Sequence, residues 1–197
     1  MSALILASKS AARSALLRAA GVAFETRGSG VDEDPIKAAE LAAGSGPRAI
    51  ALKLAEAKAL AVSRTTEALV IGADQTLDLA GQLVDKPADR AEARERLLSL
   101  RGREHRLHSA VVLAQGGEVV WRDAPTTVLQ VRAFSDAWLD GYLAQIGDDV
   151  LDSVGAYQLE GLGVQLFERV EGDWFTILGL PMLSLLEALR DRGVLPR

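Results

Sequence analysis

The 197 residues carry a net charge of -5 and include no cysteine. An acidic balance argues against a broad surface for nucleic acid or anionic membrane, and a chain without cysteine has neither a disulfide framework nor a thiolate metal site. The length suits one large domain or two small lobes sharing a core, and no apolar run is long enough to cross a bilayer. The opening, Met1 to Ala7, is too short for a secretory signal and lacks its basic flank. A cytoplasmic enzyme or binding protein is therefore expected.

Leu4-Ile5-Leu6-Ala7 is a pure apolar run, read as a first buried strand. Ser8-Lys9-Ser10-Ala11-Ala12-Arg13 follows, then Leu16-Leu17 and Ala19-Ala20 at helical spacing, with Ser10 as N-cap. A strand feeding a helix N-terminus offers unpaired N–H groups and the positive dipole end to an anion. Ser8 and Ser10 add hydroxyls, and Arg13 adds a planar guanidinium suited to paired phosphate oxygens. The same residues also describe a capped helix with a solvated arginine. Gly21 closes the helix, and Val22 to Arg27 alternates like a half-exposed strand. Gly28 to Pro35 is a flexible loop that becomes acidic at Asp32, Glu33 and Asp34. Such a turn is ordinarily solvated, but beside a triphosphate one of its carboxylates could help to hold a divalent cation.

After the loop Ala43 to Pro47, a helix is predicted from Arg48 to Ser63, with Ile50, Leu52, Leu54, Ala55 and Ala59 on its apolar face. Lys53 and Lys58 fall at different angles on its wheel and read as solvated lysines. Ala68 to Ile71 is a second apolar run, of the kind that forms a strand buried on both faces, and it leads into Gly72-Ala73-Asp74-Gln75. Open α/β sheets bind ligands at the carboxyl ends of such strands, which would put Asp74 at the mouth of a cleft. The competing reading is that Asp74 and Gln75 merely open a turn.

Thr76 to Val84, turning at Ala80-Gly81-Gln82, reads as a hairpin that delivers Asp85-Lys86-Pro87, where Pro87 keeps Lys86 out of the helical region. Ala88 to Leu100 is a predicted helix with Ala91, Ala93, Leu97 and Leu98 inward. His105 to Leu113 reads as a strand; it turns at Gly116-Gly117 into Glu118 to Trp121 and continues through Thr126 to Val131 as an antiparallel ribbon. His105 and His108 would point to opposite faces, poor geometry for a shared metal. Phe134-Ser135-Asp136 cap a helix running to about Leu143, with Trp138, Leu139 and Tyr142 inward, and Asp148-Asp149 reads as a solvated loop. Ser153 to Gly163 is dense in glycine and would let a ligand approach the backbone closely. Val164 to Val170 alternates like a strand, and Gly179-Leu180-Pro181 starts a last helix with Leu183, Leu185, Leu186, Ala188 and Leu189 on its core face.

These segments, in this order, resemble the Maf family, nucleoside triphosphate pyrophosphatases once described as septum-formation inhibitors. The resemblance rests on Leu6 to Ser10 with Arg13 and Leu16-Leu17, Val31-Asp32-Glu33, and Leu54-Ala55 with Lys58-Ala59. It continues through Gly72-Ala73-Asp74-Gln75, Lys86-Pro87, Gly102 with His105 and Ser109-Ala110-Val111, Gly155-Ala156-Tyr157 with Glu160-Gly161, and Gly179-Leu180-Pro181. It implies an α/β fold over residues 1–197: two lobes around a central nucleotide cleft, with an elongated mixed sheet flanked by helices, similar to inosine triphosphate pyrophosphatases. It also implies hydrolysis of the α–β phosphoanhydride of a nucleoside triphosphate substrate, a divalent cation (Mg²⁺ or Mn²⁺), and a homodimer. Matched position by position, it makes Asp74 the catalytic carboxylate, with Glu33 its partner at the metal. Ser8, Ser10, Arg13, Lys58 and Lys86 then line the polyphosphate.

Gln75 with Glu160 is similar to the branch acting on 7-methyl-GTP, whereas the thymidine/uridine branch has threonine and glutamine at these positions. Guanine offers N1–H and an exocyclic amine, both of which a carboxylate accepts. The chain departs from the 7-methyl-GTP branch at Ala12, where that branch carries tryptophan, and at Ala11 and Ser14, where proline and arginine are usual. Other readings are a dTTP/UTP pyrophosphatase of the same family, or a nucleotide-binding regulator of septum formation without turnover. Paired carboxylates beside a triphosphate favour the enzyme.

Overall fold

A computed structural model describes residues 4–197; the first three residues of the predicted leading segment lie outside this range. Its centre is one mixed sheet of eight strands in the order β2-β1-β3-β5-β7-β8, with β4 on β3 and β6 on β5. The strands are β1 (Leu4–Leu6), β2 (Glu25–Thr26), β3 (Leu69–Leu79), β4 (Gln82–Val84), β5 (Glu104–Gln115), β6 (Glu118–Asp123), β7 (Thr126–Val131) and β8 (Phe167–Glu171). The helices are α1 (Ala11–Ala19), α2 (Asp34–Ala42), α3 (Pro47–Ser63), α4 (Arg90–Leu100), α5 (Asp136–Ile146), the single turn α6 (Trp174–Ile177) and α7 (Met182–Asp191). The mixed α/β class, the parallel start and the antiparallel ribbon agree with the sequence reading.

β1 pairs in parallel with β2 and with the first three residues of β3; every other pairing is antiparallel. β3 is the spine. One of its edges bonds β5 from Val70 to Asp78, while the other meets β1 at Leu69–Ile71 and β4 at Leu77–Leu79. Between those two, residues 72 to 76 have no strand partner on that side among the described residues, and the sheet edge is left open.

Residues of β3 alternate between two environments, as the strand period requires. Ile71, Ala73 and Leu77 face away from α3, where two apolar clusters form. One gathers Leu4, Leu6, Leu17, Ile71, Leu185 and Leu189, and the other gathers Leu77, Leu97, Leu129, Tyr142, Val150 and Leu166. Gln75 projects at the boundary between them. On the opposite face α3 lies against β3 and β5 through small residues, Ala51, Ala55 and Ala59 against Ala110 and Ala114. Gly72 sits directly beneath it: a Cβ there would come 2.2 Å from the Ala55 carbonyl oxygen and 2.7 Å from the Ala59 Cβ.

Several expectations are corrected. β3 does not end near Asp74; having left β1, it continues in the antiparallel ladder, with Asp74 opposite Ala110. Asp34 and Pro35, read as loop, form the first turn of a helix that runs to Ala42, a segment the sequence reading left unassigned; the helix buries no residue. Only Glu25–Thr26 of the Val22–Arg27 segment pairs as strand. Val164–Leu166 belongs to a 3-10 turn (Leu162–Leu166), and the strand starts at Phe167. In α4, Ala91 is exposed and Leu100 takes the core position. Leu183 of α7 is 65% exposed, while Met182, Leu185, Ala188 and Leu189 are buried.

Because Gly72 leaves no room for a side chain, Gly72→Ala is expected to lower folding stability by about 1–3 kcal/mol, the range for overpacking. The midpoint of urea unfolding reads this loss directly.

Candidate active site

The open edge of β3 faces a cleft of about 1140 Å³, large for a small-molecule site. It lies at the carboxyl end of β1, not of β3. The Ser8–Ser10 turn that follows β1 forms one wall. The Ser10 hydroxyl caps α1 by accepting from the Arg13 N–H at 3.4 Å, and the Ser8 hydroxyl accepts from the Ser10 N–H at 3.2 Å. The expected N-cap is present.

Arg13 turns back across the open edge. Its Nη1 donates to the Ala73 carbonyl at 3.0 Å and its Nε to the Gly179 carbonyl at 2.8 Å. The guanidinium thus takes an acceptor that a neighbouring strand would otherwise use, and joins β3 to the turn before α7. Burial lowers its pKa, against the pull of Asp74 and Glu33.

Asp74 and Glu33 converge on one ammonium. Lys58 Nζ lies 2.6 Å from Asp74 Oδ1 and 2.7 Å from Glu33 Oε1. Lys58 and Asp74 are both buried. Read on its helix alone, Lys58 was expected to be solvated. The close packing at Gly72 instead brings this turn of α3 over the strand, so the lysine points into the sheet; Lys53 is solvated as expected, with an ion pair to Glu56. Desolvation raises the Asp74 pKa, and Lys58 and Arg13 oppose that rise.

Gln75 points to the other face. Its Nε2 donates to Ser109 Oγ (2.8 Å) and to the carbonyls of Ile177 (2.9 Å) and Thr176 (3.0 Å). With its amide nitrogen fully engaged, Gln75 is held in one orientation beside Gly179. Glu160 is exposed on the far wall, and Lys86 and Ala12 are exposed on the rim. All ten residues singled out from the sequence line this cleft.

The sequence reading missed Lys37, which lines the cleft from α2 and pairs with Asp85 at 2.8 Å. It also missed Ser109, whose hydroxyl receives Gln75 and donates to the Thr176 carbonyl at 2.6 Å. Lys37 gave no signal; Ser109 appears among the motifs that carry the family resemblance, but a hydroxyl on a strand otherwise read as core was given no role. Asp34 and His108 were given no role at the site: Asp34 stands at the cleft lining with its side chain 92% exposed, and His108 lies outside that lining, bonded to Thr126 and Asp78. His105 is buried against Tyr157, at 2.7 Å.

A buried carboxylate held by a lysine beside a hydroxyl-lined helix start defines a class: an enzyme site for an anionic ligand. The Maf-like protein family model matches residues 3–192. The chain belongs to the Maf family. It is 57% identical over 190 residues to the nucleoside triphosphate pyrophosphatase of Caulobacter vibrioides, covering 96% of each chain. It is 54% identical over 193 residues to the 7-methyl-GTP pyrophosphatase of Rhizobium meliloti, covering 98% of this chain and 97% of that one. With the 7-methyl-GTP pyrophosphatase of Brucella abortus it shares 46% over 188 residues, 95% of this chain and 94% of that one.

The Asp74 carboxyl should titrate above the ordinary aspartate value of about 3.9, and Lys58→Met, which removes the nearest positive charge, should move it higher still. Carboxyl-carbon NMR of Asp74 across pH reads both shifts. The sign for stability follows: the folded state holds this proton more tightly than the unfolded chain. The contribution is fully present below the unfolded value and is lost as pH rises through the folded one.

Proposed function

We propose that the protein is a nucleoside triphosphate pyrophosphatase that adds water across the α–β phosphoanhydride, releasing a nucleoside monophosphate and pyrophosphate in the cytoplasm. The observation that carries this reading is the buried Asp74 carboxylate, fixed by Lys58 on the floor of a cleft whose near wall is the Ser8–Arg13 helix start. Asp74 takes a proton from the attacking water; its raised pKa brings it closer to the working pH of a general base. Ser8, Ser10, Arg13, Lys58 and Lys86 line the polyphosphate and offset the charge that develops on the leaving pyrophosphate.

Charge balance argues for a divalent cation. The acidic side chains lining the cleft, Glu33, Asp34, Asp74, Asp85, Asp152 and Glu160, outnumber the basic ones, Lys9, Arg13, Lys37, Lys58 and Lys86. A triphosphate entering there needs further positive charge. Mg²⁺ or Mn²⁺ is commonly held by one or two carboxylates together with substrate oxygens. Glu33 and Asp74, already converging on one cationic group, would hold it. When bound, the ion supplies Lewis-acid charge at the phosphates.

For the base, the reading is a guanine nucleotide, with 7-methyl-GTP favoured. Glu160 can accept from N1–H and the exocyclic amine, while Gln75, its nitrogen engaged with Ser109 and the Thr176 and Ile177 carbonyls, leaves its oxygen free to accept. N7-methylation adds positive charge that a carboxylate favours. Ala12 provides no stacking ring, so this preference rests on Glu160.

Pyrophosphate release should be measured with Mg²⁺ and Mn²⁺ over the common ribo- and deoxyribonucleoside triphosphates and 7-methyl-GTP. Asp74→Asn should lower turnover at least about 10²–10³-fold, and a chelator should abolish it. Glu160→Gln should erode the preference for 7-methyl-GTP. Preference of the wild type for dTTP or UTP would sink the base assignment, and nucleotide binding without pyrophosphate release would sink the enzyme.

A further inference from the structure

Two loops on different parts of the chain meet at one side chain outside the cleft lining. Arg96, in the middle of α4, donates from a single nitrogen, Nη1, to the Asp85 carbonyl at 2.5 Å and to the Val154 carbonyl at 2.7 Å. Asp85 immediately precedes Lys86, and Val154 immediately precedes Gly155 in the loop that leads to Glu160. One nitrogen with two hydrogens therefore spans the turn assigned to the polyphosphate and the loop assigned to the base.

Both loops need such support. Ala156 has φ +59, a left-handed conformation that a non-glycine residue keeps only when its surroundings enforce it. A Cβ at Gly155 would come 2.2 Å from the Tyr157 ring, so the turn is folded tightly on itself. Ser153 Oγ accepts from the Tyr157 N–H at 3.0 Å and donates to the Tyr157 carbonyl at 2.6 Å. Tyr157 is tied in turn to the buried His105 at 2.7 Å. The Lys86 turn is held from the other side by the Lys37–Asp85 ion pair. α4 is a rigid mount for Arg96: Asp89 accepts from the Glu92 N–H while the Glu92 carboxylate accepts from the Ala88 N–H, closing its start.

We propose that Arg96 is a positioning residue that fixes the distance between the phosphate-holding and base-holding walls, so that a nucleotide meets Lys86 and Glu160 together. This rests on the function proposed above. A guanidinium suits the task because it is permanently charged and presents its two N–H groups in a fixed plane. Arg96 touches no substrate; it acts through Lys86 and Glu160.

The test is Arg96→Met, which keeps much of the side-chain stem and removes both donors. KM for the best nucleotide should rise about tenfold, the scale of a charge-assisted hydrogen bond, with kcat changed less than about twofold. In Lys86→Ala and Glu160→Gln backgrounds the same substitution should lose most of its effect, the coupling expected of residues acting as a unit. An equal factor in every background, or an unchanged KM, overturns the proposal. Hydrogen exchange on the nucleotide-free protein is a readout without turnover: the amides of Lys86 and Ala88 and those of 155–161 should exchange faster together in Arg96→Met, with the rest of the chain unchanged. Unchanged exchange, or loosening of one segment alone, overturns the strap even if no nucleotide is cleaved. Absence of pyrophosphate release from wild type, by contrast, overturns the proposed function and leaves the exchange result to decide the strap.

Discussion

The bridge from Lys58 to Asp74 and Glu33 is the interaction on which the site depends, and packing elsewhere makes it reachable. α3 approaches the sheet closely because Gly72, Ala55 and Ala59 present almost no side chain. That approach lowers Lys58 onto β3, where its ammonium finds Asp74 at 2.6 Å. Burying a lysine and a carboxylate brings little net stability, since desolvation offsets most of the attraction. Its consequence is orientation: the carboxylate is kept in one rotamer at the floor of the cleft. The same ammonium reaches Glu33 at the start of α2. α2 buries no residue of its own, so charge, through Lys58–Glu33 and Lys37–Asp85, holds it over the cleft.

A second constraint is the interrupted edge of β3. A continuous partner along this strand would have satisfied its backbone and closed the cleft. Instead β1 stops at Leu6 and β4 begins opposite Leu77, leaving the intervening residues free on that side. Arg13 supplies a donor to the Ala73 carbonyl, so that acceptor is paired despite the gap. The strand period then divides labour between adjacent residues. Asp74 faces α3 and the lysine, while Gln75 faces the opposite side, where Ser109 and α6 carbonyls hold it at the seam of two apolar clusters.

Much of this was legible in the chain. Apolar runs announce β1 and β3, the Ser10 cap follows from its place before a helical pattern, and the turn at Ala80-Gly81 appears as two left-handed residues. The order of motifs pointed to the family and to residues that meet in one cleft. What escaped was whatever depends on a distant neighbour. Lys58 looked solvated because a helix wheel does not contain the strand under it. α2 escaped because charges hold it and no apolar stripe marks it. Thr76 to Val84 reads as a hairpin, which β3 and β4 form. That its first arm is one strand with the apolar run before Asp74 escaped, because the partners change from parallel to antiparallel along it. Val164–Leu166 alternates well enough for a strand, but a Cβ at Gly163 would meet the Gln158 carbonyl oxygen at 2.5 Å, and that tight turn delays pairing until Phe167.

The two walls of the cleft are built on different principles, and this bears on how an anionic ligand would be received. The wall carrying Glu160 is fixed by directional hydrogen bonds and tight backbone packing, including the left-handed Ala156. It is preorganised, so little ordering entropy remains to be lost when a planar base arrives. The wall carrying Glu33 and Lys37 is held by ion pairs, which respond directly to added charge. If, as proposed, a divalent cation enters with a polyphosphate, its charge would compete with Lys58 for Glu33 and Asp74, and the phosphates would compete with Asp85 for Lys37. One wall thus reads shape and hydrogen bonding with a rigid surface, while the other answers charge with charges already partly satisfied among themselves. Asp74 belongs to neither wall; it is mounted on the central strand.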